Sequence, residues 1–120
     1  MISSMHLTLY GSEKTVEELR AFMRDVLRLP SYDAGGGWPI FRVPAEIGVH
    51  PEEGRAGKST RYEMAFVCEH LDETMADLKQ RGVEFVHDVH DAGWGSVTTF
   101  KMPGGINALL YEPRHHRPAT

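Results

Sequence analysis

The chain has 120 residues, of which 41% are hydrophobic and 25% charged, and its formal net charge is −4. This length suits one domain with a modest core, and the mildly acidic charge argues against nucleic acid and anionic membranes as partners, because both attract basic surfaces. The longest apolar run, MAFVC, is too short to span a bilayer, and the first ten residues lack the basic start and long apolar block of a secretory signal. We therefore expect a cytoplasmic protein.

The first half of the chain begins with a strand pattern and continues with a helix pattern. HLTLY, at 6–10, alternates with the period of a strand. Thr15 and Glu18 form a capping box, which predicts an amphipathic helix from Thr15 to about residue 27. Two short strands are expected at 38–43 and 46–50, followed by a polar loop.

The second half repeats this order. RYEMAFVCE, at 61–69, reads as a strand, and a helix with an apolar stripe is expected at 71–81, capped by Gly82. Further strands are expected at 83–89, 96–102 and 106–113. Two units of similar order in one short chain indicate two small sheets, each with a helix on one face. The two open faces would together line a cleft.

Strand parity places polar side chains on those open faces, because successive residues of a strand point to opposite sides. The open faces carry His6, Thr8 and Tyr10 in one strand, Glu46, Gly48 and His50 in another, and Asn107, Leu109 and Tyr111 in the last. Glu63 stands at the head of a face that is otherwise alanine and valine. We therefore predict that Glu63 converges with His6 and His50, and two imidazoles with one carboxylate are the ligand set of a facial triad. His87 and His90 are predicted to be surface residues.

These segments resemble the vicinal oxygen chelate superfamily, which includes glyoxalase I, bleomycin-resistance proteins and extradiol dioxygenases. The likeness is carried by MHLTLY, AFMRDVLRL, AEIGVHP, EMAFVCEHLDETMADLKQRGVEF, GWGSVTTFKMPGG and LLYEP. It implies an α+β fold in which two βαβββ modules, approximately 5–52 and 61–113, form a curled mixed sheet around a cleft in a single domain, 1–120.

The resemblance also implies a divalent metal held at four strand positions. Carried over to this chain, the positions fall on His6, His50, Glu63 and Leu109. Leu109 stands where the superfamily usually has an acid, and Glu112, three residues later, belongs to the opposite face. The three remaining side chains suit Fe, Mn, Ni or Zn, so the ligand types do not select the metal.

Two main functions remain open at this point. The first is a metal-dependent lyase, isomerase or dioxygenase that acts on adjacent oxygens of a small substrate, with Glu63 as metal ligand or catalytic base. The second is a metal-free protein of the bleomycin-resistance type that sequesters a small molecule or antibiotic. The expected substrate-binding residues are Thr8, Tyr10, Trp94, Asn107, Leu109 and Tyr111. A dimer without any ligand is the third alternative, and a homodimer is expected in every case because an open cup leaves strand edges and an apolar rim to cover.

Overall fold

The computed structural model describes residues 1, 4–37 and 39–114. The helices are α1, Glu13–Ala21, which continues as a π-helical stretch over Phe22–Val26, and α2, Leu71–Gln80. The strands are β1, Ser31–Asp33; β2, Pro39–Phe41; β3, Ala65–Val67; β4, His90–Asp91; β5, Gly95–Met102; and β6, Ile106–Pro113. Trp38, which begins one predicted strand, lies outside the described residues. Within the described ranges, no helix has both the length and the apolar character needed to cross a membrane.

The main sheet has four strands in the order β3-β6-β5-β4. β3 runs parallel to β6, and the other neighbouring pairs are antiparallel. One face of this sheet is covered by both helices, since Leu19 of α1 and Leu78 of α2 share a buried cluster with Ala108 and Leu110 of β6. The predicted mixed α+β architecture is therefore present.

Phe100 of β5 is the centre of the core. Its side chain is fully buried, and its ring lies 5.9–6.3 Å from the rings of Phe22, Phe66 and Phe85. Centroid distances of this size are those of favourable aromatic pairs. The π-helical stretch, the sheet and the segment after α2 therefore meet at one side chain.

The start of α1 lies one turn earlier than the sequence suggested. Ser12, and not Thr15, is the N-cap, and its hydroxyl accepts a hydrogen bond from the Thr15 backbone N–H. A side chain at Gly104 would place its Cβ 2.6 Å from Thr15 Cγ2, so glycine permits the β5–β6 turn to lie against this helix. At the other end, Arg81 donates a hydrogen bond to the Val26 carbonyl and joins the ends of the two helical segments.

The first half differs most from the prediction. Among the described residues, 6–10 and 46–50 are extended but form no strand, and the sheet of this half consists of the β1–β2 pair. Ile47 is 72% exposed and Val49 is 90% exposed, although parity assigned both to a covered face. A strand requires a hydrogen-bonded neighbour, and no strand of the described ranges pairs with these segments. A curled sheet formed by both halves therefore stays a prediction.

The predicted strand at 83–89 is also reduced. Phe85 forms a single bridge to Phe100, and the Val86 N–H donates to the Thr99 carbonyl before β4 begins at His90. The segment is therefore tied to β5 at its middle rather than along its whole length.

Candidate functional site

The face of the main sheet that the helices do not cover forms one wall of the candidate site. In β6, Ala108 and Leu110 are buried toward the helices, so Asn107, Leu109 and Tyr111 point to the other side, as parity predicts. We call this side the open face. Register places Leu109 between Ala65 of β3 and Thr99 of β5, and the Leu109 N–H donates to the Met64 carbonyl.

An aromatic pair stands at one end of the open face. The rings of Trp94 and Tyr111 meet edge to face with centroids 4.9 Å apart, and 52% of Trp94 remains exposed. Trp94 lies in a Gly-Trp-Gly turn, where a Cβ at Gly95 would come within 2.5 Å of the Glu112 carbonyl oxygen. The close approach that glycine allows here fixes Trp94 beside Tyr111 and leaves its ring available to a ligand.

Glu112 does not belong to the open face. Its Oε1 accepts a hydrogen bond from the Leu71 N–H at 2.9 Å, so the carboxylate caps the N-terminus of α2. An anion is favoured at that position because the first N–H groups of a helix have no partner within the helix. This explains why Glu112 takes no part in the site.

A broad cleft of about 3040 Å³ lies beside β3, between the extended segments 4–10, 39–52 and 60–67. Six of the predicted site residues line it: His6, Thr8, Tyr10, His50, Glu63 and Tyr111. Trp94, Asn107 and Leu109 lie outside this lining. Typical ligand pockets have volumes of about 300–1000 Å³, so the volume of the cleft is about three times the upper end of this range.

The proposed metal ligands do not form a metal centre within one chain. In the described part of the chain, no three His, Cys, Asp or Glu side chains form a group that could hold a metal ion. His6, His50 and Glu63 are exposed and line the same cleft, and their convergence stays a prediction. The donor set of a single chain therefore does not fit the metal that the resemblance implies, and we derive no chemical step through it.

Glu63 belongs to an ion cluster instead. Its Oε2 accepts a hydrogen bond from Arg61 Nη1 at 3.3 Å. Arg61 also binds the Glu52 carboxylate through Nε and Nη2, and Arg55 binds the same carboxylate at 2.6 Å. The hydrogen bonds from these two guanidinium groups lower the pKa of Glu52 to about 2, so this carboxylate is ionised at any physiological pH.

Sequence reasoning missed both Arg61 and a second polar pair. His87 Nε2 lies 2.9 Å from Thr99 Oγ1, and Thr99 is the register neighbour of Leu109 on the open face. Since His87 Nδ1 faces the Asp88 carbonyl at 2.7 Å, that nitrogen must carry a proton. The two-residue spacing of Arg61 and Glu63 could have identified the first pair, whereas the contact of His87 with Thr99 depends on the pairing of its segment with β5. His87 and His90 are exposed, as predicted.

Cys68 has the character of a structural thiol. It is half-buried at the end of β3, and burial raises the pKa of its thiol above the usual value. Its Sγ lies 3.6 Å from the Tyr111 carbonyl. A thiol of raised pKa is a poor nucleophile, so it adds no reactive group to the site.

No protein-family model matches the sequence, and no curated protein matches it. Several solved structures, however, are similar to this chain. A member of the glyoxalase/bleomycin resistance protein/dioxygenase superfamily from Sphaerobacter thermophilus covers 92% of this chain and 98% of its own, with a TM-score of 0.62 and 19% identity. Lactoylglutathione lyase from Agrobacterium tumefaciens covers 92% of both chains, with a TM-score of 0.63 and 16% identity.

An antibiotic-binding protein from a Streptomyces species covers 94% of this chain and 99% of its own, with a TM-score of 0.57 and 15% identity. The chain therefore has the fold of the glyoxalase/bleomycin resistance protein/dioxygenase superfamily, as its sequence resemblance predicted. Identities of 15–19% establish the fold and not the activity, since the same fold supports both a lyase and an antibiotic-binding protein.

Proposed function

We propose that this protein binds a small amphiphilic or aromatic molecule on its open face, in the manner of a sequestering protein. The observation that carries the proposal is the half-exposed Trp94 packed against Tyr111, next to Leu109. Exposed aromatic rings beside an apolar residue favour a ligand with a flat apolar body. Similarity to an antibiotic-binding protein supports the same class of ligand.

The sequestering function is tested by titrating a panel of aromatic antibiotics into the protein and measuring the heat of binding. We expect Trp94→Ala and Tyr111→Ala each to weaken binding about tenfold, since an aromatic contact contributes on the order of 1 kcal/mol. Pretreatment with a chelator should leave the affinity unchanged. Binding that requires an added divalent metal would contradict this function and favour an enzyme.

A second copy of the chain is the partner that we propose for part of the cleft, since its whole volume exceeds what a small ligand fills. The chain exposes 9537 Å², whereas a compact monomer of 13.5 kDa exposes about 6500 Å². The residues outside the described ranges can account for at most about 1600 Å² of this excess, at the ~1.45 Å² per dalton of an unfolded chain. About 1400 Å² remains, which is more than the ~800 Å² that each partner buries in a standard interface.

The shape of the chain supports the same partner. Its radius of gyration is 15.7 Å, against about 13.6 Å for a compact domain of this length. The segments 4–10 and 46–50 carry exposed apolar side chains in strand-like alternation, which is the pattern of a strand whose neighbour is missing. The division into modules at 5–52 and 61–113 remains part of this proposal.

The second candidate function is the metal-dependent lyase, isomerase or dioxygenase. The observation that favours it is that His6, His50 and Glu63 all line one cleft, so that two copies could bring them together. In that arrangement Glu63 would be a ligand or a base. Isothermal titration with Zn²⁺ or Ni²⁺ tests it: we expect one site that His50→Ala abolishes, and no saturable binding would dismiss this candidate.

A further inference from the structure

The ion cluster beside the cleft contains one arginine that is held firmly on one side only. Its four members are Glu52, Arg55, Arg61 and Glu63, and all four line the cleft. Arg55 is fully engaged, because Nε and Nη2 bind Glu52 while Nη1 donates to the Ser59 carbonyl. Arg61 has a different pattern of contacts.

Arg61 is anchored by Glu52 through its Nε and Nη2 edge. Nε donates to both carboxylate oxygens, at 3.0 and 3.1 Å, and Nη2 donates to Oε2. A guanidinium held in this way is oriented before any ligand arrives, which reduces the entropy lost on binding.

The Nη1 edge of Arg61 is the side at which a ligand can replace the present partner. Its contact with Glu63 is a single hydrogen bond of 3.3 Å, and both side chains are about half exposed, at 50% and 49%. Exposed ion pairs of this kind contribute little to stability, so a better acceptor can replace Glu63 at low cost. Carboxylate, phosphate and phosphonate groups match the fork of a guanidinium with two oxygens at once.

We propose that Arg61 recognises an anionic group of the ligand, a carboxylate, phosphate or phosphonate, whose oxygens replace Glu63 at the Nη1 edge. This inference rests on the small-molecule binding of the proposed function and adds the chemical class of one end of the ligand. Arg61 is a binding residue in this scheme, Glu52 positions it, and Glu63 is released into the cleft when the anion binds.

Inorganic phosphate is the probe, titrated by calorimetry at low ionic strength into the intact protein. We expect Arg61→Gln to weaken phosphate binding at least tenfold and Glu63→Gln to strengthen it several-fold, because the competing carboxylate is gone. The matched controls are Arg24→Gln, which removes an exposed arginine paired with Asp25, and Glu73→Gln, which removes an exposed acid on α2. Both controls should stay within twofold of the parent protein.

Three results would overturn the inference: binding unchanged in Arg61→Gln, equal weakening in Arg24→Gln, or Glu63→Gln indistinguishable from Glu73→Gln. Arg61→Lys keeps the charge but not the fork, so it should bind phosphate with intermediate affinity, and its circular dichroism spectrum checks the fold. The aromatic ligands are titrated separately. If the aromatic ligands do not bind, the proposed function is wrong, but the phosphate result is unchanged. If the aromatic ligands bind but the Arg61 and Glu63 variants bind phosphate as their controls do, only the role of Arg61 is wrong.

Discussion

Replacing Ile47 with alanine tests whether a second copy covers the cleft. Ile47 is 72% exposed in the single chain, so a partner has most of this side chain left to bury. The substitution removes three carbon groups at about 0.8 kcal/mol each, and about 72% of that sum gives ~1.7 kcal/mol per chain. The residue occurs twice in a two-fold interface, so the dimer loses about 3.5 kcal/mol and its dissociation constant rises roughly 300-fold.

Sedimentation equilibrium over a wide concentration range measures this shift, since the monomer has a mass of 13.5 kDa. Val86→Ala is the control, because Val86 is 46% exposed but lies outside the lining of the cleft. It should change the dissociation constant by less than a few-fold. A parent protein that remains monomeric at millimolar concentration, or a constant that Ile47→Ala does not alter, would refute the proposed dimer.

Three further predictions concern stability. Phe100→Ala should lower the free energy of unfolding in urea by ~3–5 kcal/mol, because it empties the fully buried centre of the core, and Phe100→Leu should lose clearly less. Glu112→Ala should lose about 1 kcal/mol in the same assay, since the Leu71 N–H at the start of α2 loses its acceptor; an unchanged midpoint would contradict the capping role. Glu52 has a folded pKa of about 2 against an ordinary 4.5, so its ion pairs stabilise the fold above pH 4.5 and are lost as the pH falls toward 2. Thermal melts of Glu52→Gln should therefore depend less on pH in that window than melts of the parent protein.

Much of the second half of the chain could be predicted from its sequence, although the strand expected at 61–69 is reduced to Ala65–Val67 and the one expected at 83–89 to a single bridge. α2 and the last two strands lie where periodicity placed them, and the division of β6 into a buried and an open face follows parity. The assignment of Glu112 to the helix side was correct for the same reason. Periodicity is a local property, and in this half the neighbours that each strand needs are supplied by the chain itself.

The first half could not be predicted in the same way. The alternation at 6–10 and 46–50 indicates a strand but does not identify its neighbour, and among the residues that the structure describes no strand pairs with them. Convergence of His6, His50 and Glu63 depends on that missing partner, so it remains a prediction. The link from Glu52 to Arg61 crosses a nine-residue separation through a loop, for which the sequence carries no periodic signal.

Leu109 brings the register and the ligand chemistry together. It lies opposite Ala65, so the middle of the open face is apolar at the position where the superfamily usually presents an acid. Tyr111 and Trp94 stand toward one end of the face. Tyr111 is opposite Val67, and Arg61 precedes Val67 by six residues, about 20 Å along an extended chain. One ligand that contacts both the sheet face and Arg61 must have an aromatic or apolar body and an anionic group. The separation between these two parts equals the distance along the chain minus the length of the arginine side chain. Small dianions such as oxalate are then too short to use both ends and should bind no better than phosphate.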